Sequence, residues 1–287
     1  MGSILIGGSA FTDAGLAARW QEAERSATRL TVPTRAGDIV YRRWDCPSPG
    51  RDTLVLVHGG SGSWLHWMPV IAPLAARRDV VALDLPGFGE SARAPHRDLD
   101  EIAQGLLAVL SDLACGTPSI AAFSFGAVVT AVALTSSSAR IPLHLLAPAG
   151  FGRSHLSENL LRSWRSPNAE VRLAVHRRNL ETAMVASAAH TDTGAIKAYA
   201  QGIEVARFDS REASFSDRLE RSLPDLTLRS VLWAERDAFM APDIARRAAL
   251  VEAAHPQTRQ RIVPGSGHWL QLDAPDAVVE WLTSNTA

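Results

Sequence analysis

Six short apolar runs recur along the chain, most of them closing on a turn rich in glycine or acid. Leu54–Val57 leads into His58-Gly59-Gly60-Ser61-Gly62, Val80–Leu83 into Asp84-Leu85-Pro86-Gly87, and Ser119–Phe123 into Ser124-Phe125-Gly126. Leu143–Ala147 follows, then Ser230–Ala234 before Glu235-Arg236-Asp237, and Arg261–Val263 before Pro264-Gly265-Ser266-Gly267-His268. Most runs are nearly continuous in Val, Leu, Ile and Ala instead of alternating with polar residues. That pattern predicts strands buried on both faces, as in a parallel sheet covered by helices. Between the runs, Asp98–Ala114 places Ile102, Leu106, Leu107 and Leu110 at helical spacing, with Asp98 and Asp100 near its start. Ala127–Leu134 has helix-compatible composition directly after Ser124. The expected fold class is α/β, with a mostly parallel central sheet flanked by helices.

One stretch breaks the alternation. Residues 149–228 carry no strand signal but are rich in Ala, Arg, Leu and Glu, with apolar positions at Leu160, Leu161, Trp164, Val171, Leu173 and Val175. A structureless loop of that length does not fit inside a compact domain. The expectation is a helical cap over 149–228, inserted into a core formed by 1–148 and 229–287. Such a cap would wall and gate a pocket.

The chemistry gathers at the strand ends. In Ala122-Phe123-Ser124-Phe125-Gly126 a serine sits between a strand and a helix, with small residues two positions either side. Strand, sharp turn and helix make a nucleophile elbow, which lifts one hydroxyl above the sheet edge at a helix N-terminus. Ala122 stands where glycine is usual and adds only a methyl. A serine hydroxyl needs an imidazole to take its proton, and the imidazole needs a carboxylate to hold its tautomer. His268 and Asp237 follow the last two strand runs, so the candidate catalytic set is Ser124, Asp237 and His268. Glu235 is the second choice for the acid, and Asp243, at a helix start, the third. The N–H groups of Gly60 and Phe125 are the candidate oxyanion donors. Ser61, Trp64, Phe123 and Trp269 are candidate substrate-binding residues, and their aromatic content suggests an apolar or aromatic substrate. Trp67 reads as core packing. His58 and Asp84 read as structural groups that bond their own loops. His155, His176 and His190 share no metal-ligand spacing, and Arg177, Arg178 and Arg207 read as solvated helix faces.

Together HGGSGSW, LDLPGFGES, AFSFGA, WAERD and GSGHWLQLDAP, in that order, resemble the α/β-hydrolase fold proteins from about Val32 to Trp281. The order serine, acid, histidine is the one that fold uses. Within the superfamily the chain is most similar to the meta-cleavage product hydrolases, which cut carbon–carbon bonds in aromatic ring-fission products. It departs from them at Phe123, where that family carries Asn, and at Phe125, where it carries Met. The resemblance implies that the cap follows the sixth strand of the fold, and that the protein is a serine-nucleophile hydrolase cleaving a bond next to a carbonyl. A C–C bond in a ring-fission-type diketone is the first expectation, and a carboxylic ester or lactone the second. An acyltransferase, a cofactor-free oxygenase and a ligand receptor are the remaining alternatives.

Composition narrows the partners. The chain has 287 residues, 46% hydrophobic and 21% charged, with a formal net charge of −1. Near-neutrality gives no electrostatic case for nucleic acid or an anionic membrane. No apolar run reaches the ~18 residues of a spanning helix, and Met1–Ala10 lacks the basic start of a secretory signal. Cys46 and Cys115 form no metal or redox spacing, which points to a reduced, cytoplasmic setting. The expected partner is a small-molecule substrate, with no cofactor, no metal and a possible homodimer.

Overall fold

The computed structural model describes residues 14–48, 52–93, 98–113, 116–157 and 160–284. The segment 1–10 and Cys115, both read above, lie outside them. The described chain runs α1 (Ala14–Arg25), β1 (Thr28–Thr34), β2 (Gly37–Trp44), β3 (Thr53–Val57), α2 (Met68–Ala75), β4 (Asp79–Leu83), α3 (Leu99–Asp112), β5 (Ser119–Phe123), α4 (Phe125–Ser137) and β6 (Pro142–Leu146). After four helices, α5 (Ala169–Ala183), α6 (Thr193–Val205), α7 (Arg211–Ser214) and α8 (Arg218–Ser222), come β7 (Thr227–Ala234), α9 (Ile244–Ala254), β8 (Arg259–Val263), α10 (Leu270–Asp273) and α11 (Pro275–Thr283). The eight strands form one sheet in the order β1-β2-β4-β3-β5-β6-β7-β8. Pairing is parallel from β4 to β8, and only the ladders to β2 are antiparallel.

The continuous apolar strands are buried on both faces, as their composition requires. In β3, Val55 and Val57 pack with Ile102 and Leu106 of α3 and Val128 of α4. Leu54 and Leu56, pointing the other way, pack with Val70, Ile71 and Leu74 of α2 and Val278 and Trp281 of α11. α3 starts where its Asp98 cap accepts the Asp100 N–H, and it buries Leu99, Ile102, Leu106 and Val109.

β7 and β8 are longer than their apolar runs, because their opening residues include the polar Thr227, Arg229, Arg259 and Gln260. Between β6 and β7 the described residues contain helices and no strand. The spacing of Leu160, Leu161 and Trp164 does not become a helix: this stretch is irregular, and Leu160, Val171 and Leu173 are exposed. Among the described residues no helix is long and apolar enough to cross a membrane.

Candidate active site

The β5–α4 turn is strained and tightly held. Ser124 has φ 50° and ψ −119°, a left-handed backbone that a residue with a Cβ adopts only when its surroundings impose it. Its N–H donates to the Leu146 carbonyl at 3.1 Å, and its carbonyl accepts from Ala127 and Ala149 at 3.0 and 3.2 Å. The turn brings α4 onto the end of β3. A Cβ on Gly126 would lie 2.6 and 2.7 Å from the carbonyl oxygens of His58 and Val57. Ala122 lies within β5, fully buried, where its methyl joins the core.

Two loops at the same sheet edge bring up the partners. Ser124 Oγ is 2.8 Å from His268 Nε2, and His268 Nδ1 is 2.7 Å from Asp237 Oδ2. The second oxygen of Asp237 accepts the Phe239 N–H at 2.8 Å. The imidazole lies against Phe123 and Phe239, with centroids 5.0 and 4.6 Å away. A nearly water-free imidazole with a carboxylate on one nitrogen can draw the proton from a hydroxyl on the other. The His268 loop is braced by the segment after α5. The Gly267 and Ala186 N–H groups both donate to Asp273 Oδ2, at 2.6 and 2.7 Å, and Trp269 N–H donates to the Met184 carbonyl at 2.6 Å.

The β3 loop presents Gly60. Among the described residues neither its N–H nor that of Phe125 is bonded to a protein acceptor, so both remain available to a ligand. His58 is spent on structure: Nδ1–H donates to the Gly59 carbonyl (2.7 Å) and Nε2 accepts from Leu85 N–H (3.0 Å). Burial pushes its pKa down to about 4. Asp84 reaches further than its own loop. It accepts the Glu90 N–H at 2.9 Å and also the Trp64 N–H at 2.8 Å, which ties the β3 loop to the β4 loop. Burial raises its pKa to about 6.

These groups predict acid sensitivity of the fold. Burial lowers His58 and His144 to about 4 and His66 well below its ordinary value. Between about pH 6.5 and 4 the unfolded chain therefore binds protons at these three sites that the native state refuses. Their contribution is complete above pH 6.5 and is lost as pH falls toward 4. Asp84, raised to about 6, acts in the opposite sense over much of that window. Three groups oppose one, so melting scans should show Tm falling by at least ~5 °C between pH 7 and pH 5. A flat or rising Tm would contradict this balance.

A cavity of about 210 Å³ opens above Ser124 and His268. Gly60, Ser61 and Phe123 line it. Trp64 and Trp269 do not, and here the sequence expectation is corrected. Trp64 is buried against Trp44 and under the Arg42 guanidinium, while Trp269 is fully buried with its indole N–H on the His66 carbonyl at 2.8 Å. Both side chains are large enough to find core space beneath the loops that carry them. Glu235 is turned away from His268 and accepts the Gly265 N–H at 2.7 Å, and Asp243 faces His155 at 3.2 Å. Among the candidate histidines, His176 bonds Glu204 and His190 bonds Asp273, at 2.9 and 2.6 Å. Arg177, Arg178 and Arg207 are not in the cavity wall.

The other wall residues are not singled out by the sequence, which points only to the stretch 149–228 as a wall. His66, with Nδ1 accepting the Gly59 N–H at 3.2 Å, stands between Phe123 and Trp269. Leu156, Leu161, Ala183, Met184, Tyr199, Ile203, Ser210, Arg211, Ser214 and Phe215 come from the stretch between β6 and β7, and Phe239 and Met240 from the loop after β7. Only Phe239 and Met240, two and three residues past Asp237, could have been suspected from position. Among the described residues no cluster of His, Cys, Asp or Glu could hold a metal ion.

Known proteins agree with this geometry at the level of fold. The chain is 29% identical over 248 residues to the dihydrolipoyllysine-residue acetyltransferase component of the acetoin cleaving system of Pseudomonas putida, a match covering 84% of this chain. The chain spans 65% of that relative's length. A shorter match, 45% identical over 71 residues, covers 25% of this chain and 26% of a pimeloyl-[acyl-carrier protein] methyl ester esterase of Vibrio atlanticus. Among solved structures, naproxen esterase from Bacillus subtilis superposes with a TM-score of 0.74 at 18% identity, covering 96% of this chain and 98% of that one. A bromoperoxidase from Bacillus anthracis gives 0.73 at 16% identity, covering 89% and 98%. Residues 54–281 match the alpha/beta hydrolase family model. That span runs from β3 to α11 and includes the strained serine turn and both loops that meet it, so the chain belongs to the alpha/beta hydrolase family.

Proposed function

We propose that this protein is a serine-nucleophile hydrolase that cleaves a carboxylic ester in a small, largely apolar substrate. Ser124 attacks the carbonyl carbon, and His268 takes its proton and returns it to the leaving alcohol oxygen; His268 then takes a proton from water, which attacks the acyl group and releases the acid as the proton returns to Ser124, while Asp237 holds the imidazole in place. The N–H groups of Gly60 and Phe125 carry the oxyanion. The observation that supports this most is the continuous hydrogen-bonded path from Ser124 Oγ through His268 to Asp237, ending beneath an apolar cavity. The stretch 149–228 serves as a cap, since most of the wall opposite Ser124 comes from it. A cavity of about 210 Å³ is smaller than the ~300–1,000 Å³ of drug-sized sites, which favours short acyl groups.

The second reading is C–C hydrolysis of a ring-fission-type diketone, supported by the HGGSGSW and GHWLQ motifs. An ester is preferred because Phe123 and Phe125 replace the polar and thioether groups that flank that family's nucleophile. The cation in the wall, Arg211, is also already bonded to Asp209 at 2.9 Å.

The test is turnover of p-nitrophenyl acetate, butyrate and octanoate beside a vinylogous diketone, with intact-mass detection of the acylated protein. The expected result is an acyl adduct on Ser124 and kcat/KM falling at least ~10-fold from butyrate to octanoate. Diketone turnover without ester turnover would move the assignment to the C–C reading. No turnover and no adduct would overturn both.

A further inference from the structure

Ser210 stands at the N-cap position of α7, where a serine ordinarily bonds the helix's own N–H groups. Here its side chain makes no such bond. The residue is buried, with 6% of its surface exposed, and it lines the cavity above Ser124. Among the described residues its hydroxyl has no protein hydrogen-bond partner. Its position is informative. A methyl built on Gly60 would overlap the Ser210 hydroxyl outright, and would lie 3.0 Å from Ser210 Cβ and 3.5 Å from Phe125 Cβ. The hydroxyl thus lies against Gly60, at a point that Phe125 also borders. A hydroxyl with no protein partner that lines the cavity can donate to a bound ligand. The nearest place where negative charge would develop is the oxyanion.

We infer that Ser210 gives the oxyanion a third hydrogen bond, from the segment between β6 and β7, alongside the N–H groups of Gly60 and Phe125. This rests on the serine-hydrolase reading above. It also explains why residue 60 is glycine, since any side chain there would displace the donor. The segment is pinned where this role needs it. Arg207 N–H donates to the Gly87 carbonyl at 2.8 Å, and the Gly150 N–H donates to the Ser214 carbonyl at 2.9 Å. The oxyanion site is therefore complete only when this segment is seated on the core.

The test compares wild type, Ser210→Ala and Ser210→Thr. Three quantities are read: kcat and KM on a p-nitrophenyl ester, the labelling rate of Ser124 by a fluorophosphonate, and the affinity for an alkylboronic acid. Loss of one oxyanion donor typically costs ~10²–10³-fold in kcat; with two backbone donors remaining, about 10–100-fold is expected for Ser210→Ala. Labelling rate and boronic acid affinity should fall in parallel, KM should move less than ~3-fold, and Ser210→Thr should recover most of each loss. Unchanged kcat and labelling, a loss confined to KM, or a threonine variant no better than alanine would overturn the inference. If wild type is not labelled at all, the serine-hydrolase reading fails and the inference falls with it.

Discussion

Ser124→Ala is expected to lower ester turnover by about 10⁴–10⁶-fold while leaving a folded protein, as removal of the nucleophile does where serine and histidine act as a unit. The hydroxyl bonds only His268 Nε2 among the described side chains, so its loss removes little of the packing. The backbone at this position yields a second expectation. At φ 50° a residue with a Cβ is strained, and glycine is not. Ser124→Gly should be equally inactive yet melt above Ser124→Ala, by an amount equivalent to ~1 kcal/mol. Activity assays and melting curves on the two variants test both points. An alanine variant keeping more than ~1% of kcat would show that Ser124 is not the nucleophile.

Gly126→Ala should produce the largest loss of stability. Its methyl would meet two backbone carbonyls, those of Val57 and His58, at distances that real Cβ atoms do not show. Neither oxygen is the end of a flexible chain. Val57 is held in β3 between β4 and β5, and His58 is fixed by hydrogen bonds at both ring nitrogens, Nδ1–H donating to Gly59 and Nε2 accepting from Leu85. Relief would require α4 to lift from the sheet, moving the Phe125 N–H, or β3 to shift, moving Gly60. A loss of ~2–4 kcal/mol is expected, in the range of severe core overpacking. Urea unfolding would show it as a lower midpoint with an unchanged slope. Activity should fall with it, because the displaced elements carry Gly60 and Phe125, the two proposed oxyanion donors. A variant with wild-type midpoint and kcat would mean that the close approach of α4 to β3 is not required. Ala122→Gly, two residues before the serine, should cost only about 0.5–1 kcal/mol.

Some parts of the site could be read early because their signals are local. Apolar runs ending in glycine or acid marked six strands, and the residues placed just past their ends, Ser124, Asp237 and His268, do meet. In a parallel sheet every strand delivers its carboxyl end to the same edge, so position relative to a strand end is position relative to the site. Trp64 and Trp269 turn into the core for the matching reason. Adjacency in sequence to a site loop says nothing about which face of the loop a side chain takes, and large aromatics find the core. Asp273, which fastens the His268 loop to Ala186, was invisible because its partners lie 6 and 87 residues away.

What the sequence determined by itself was the periodicity, the turn chemistry and the order of the reactive residues, since all three follow from neighbours a few positions apart. What only the tertiary structure decided was the wall of the cavity. Leu156, Met184, Tyr199 and Ser210 carry no local signal for a pocket, and the exposed Leu160 and Val171 carry the same apolar signal without lining one. Which apolar or hydroxyl side chain faces Ser124 depends on how the helices and loops between β6 and β7 settle on the sheet edge. That is set by long-range bonds such as Arg207 to Gly87 and Trp269 to Met184, which no short stretch of sequence encodes.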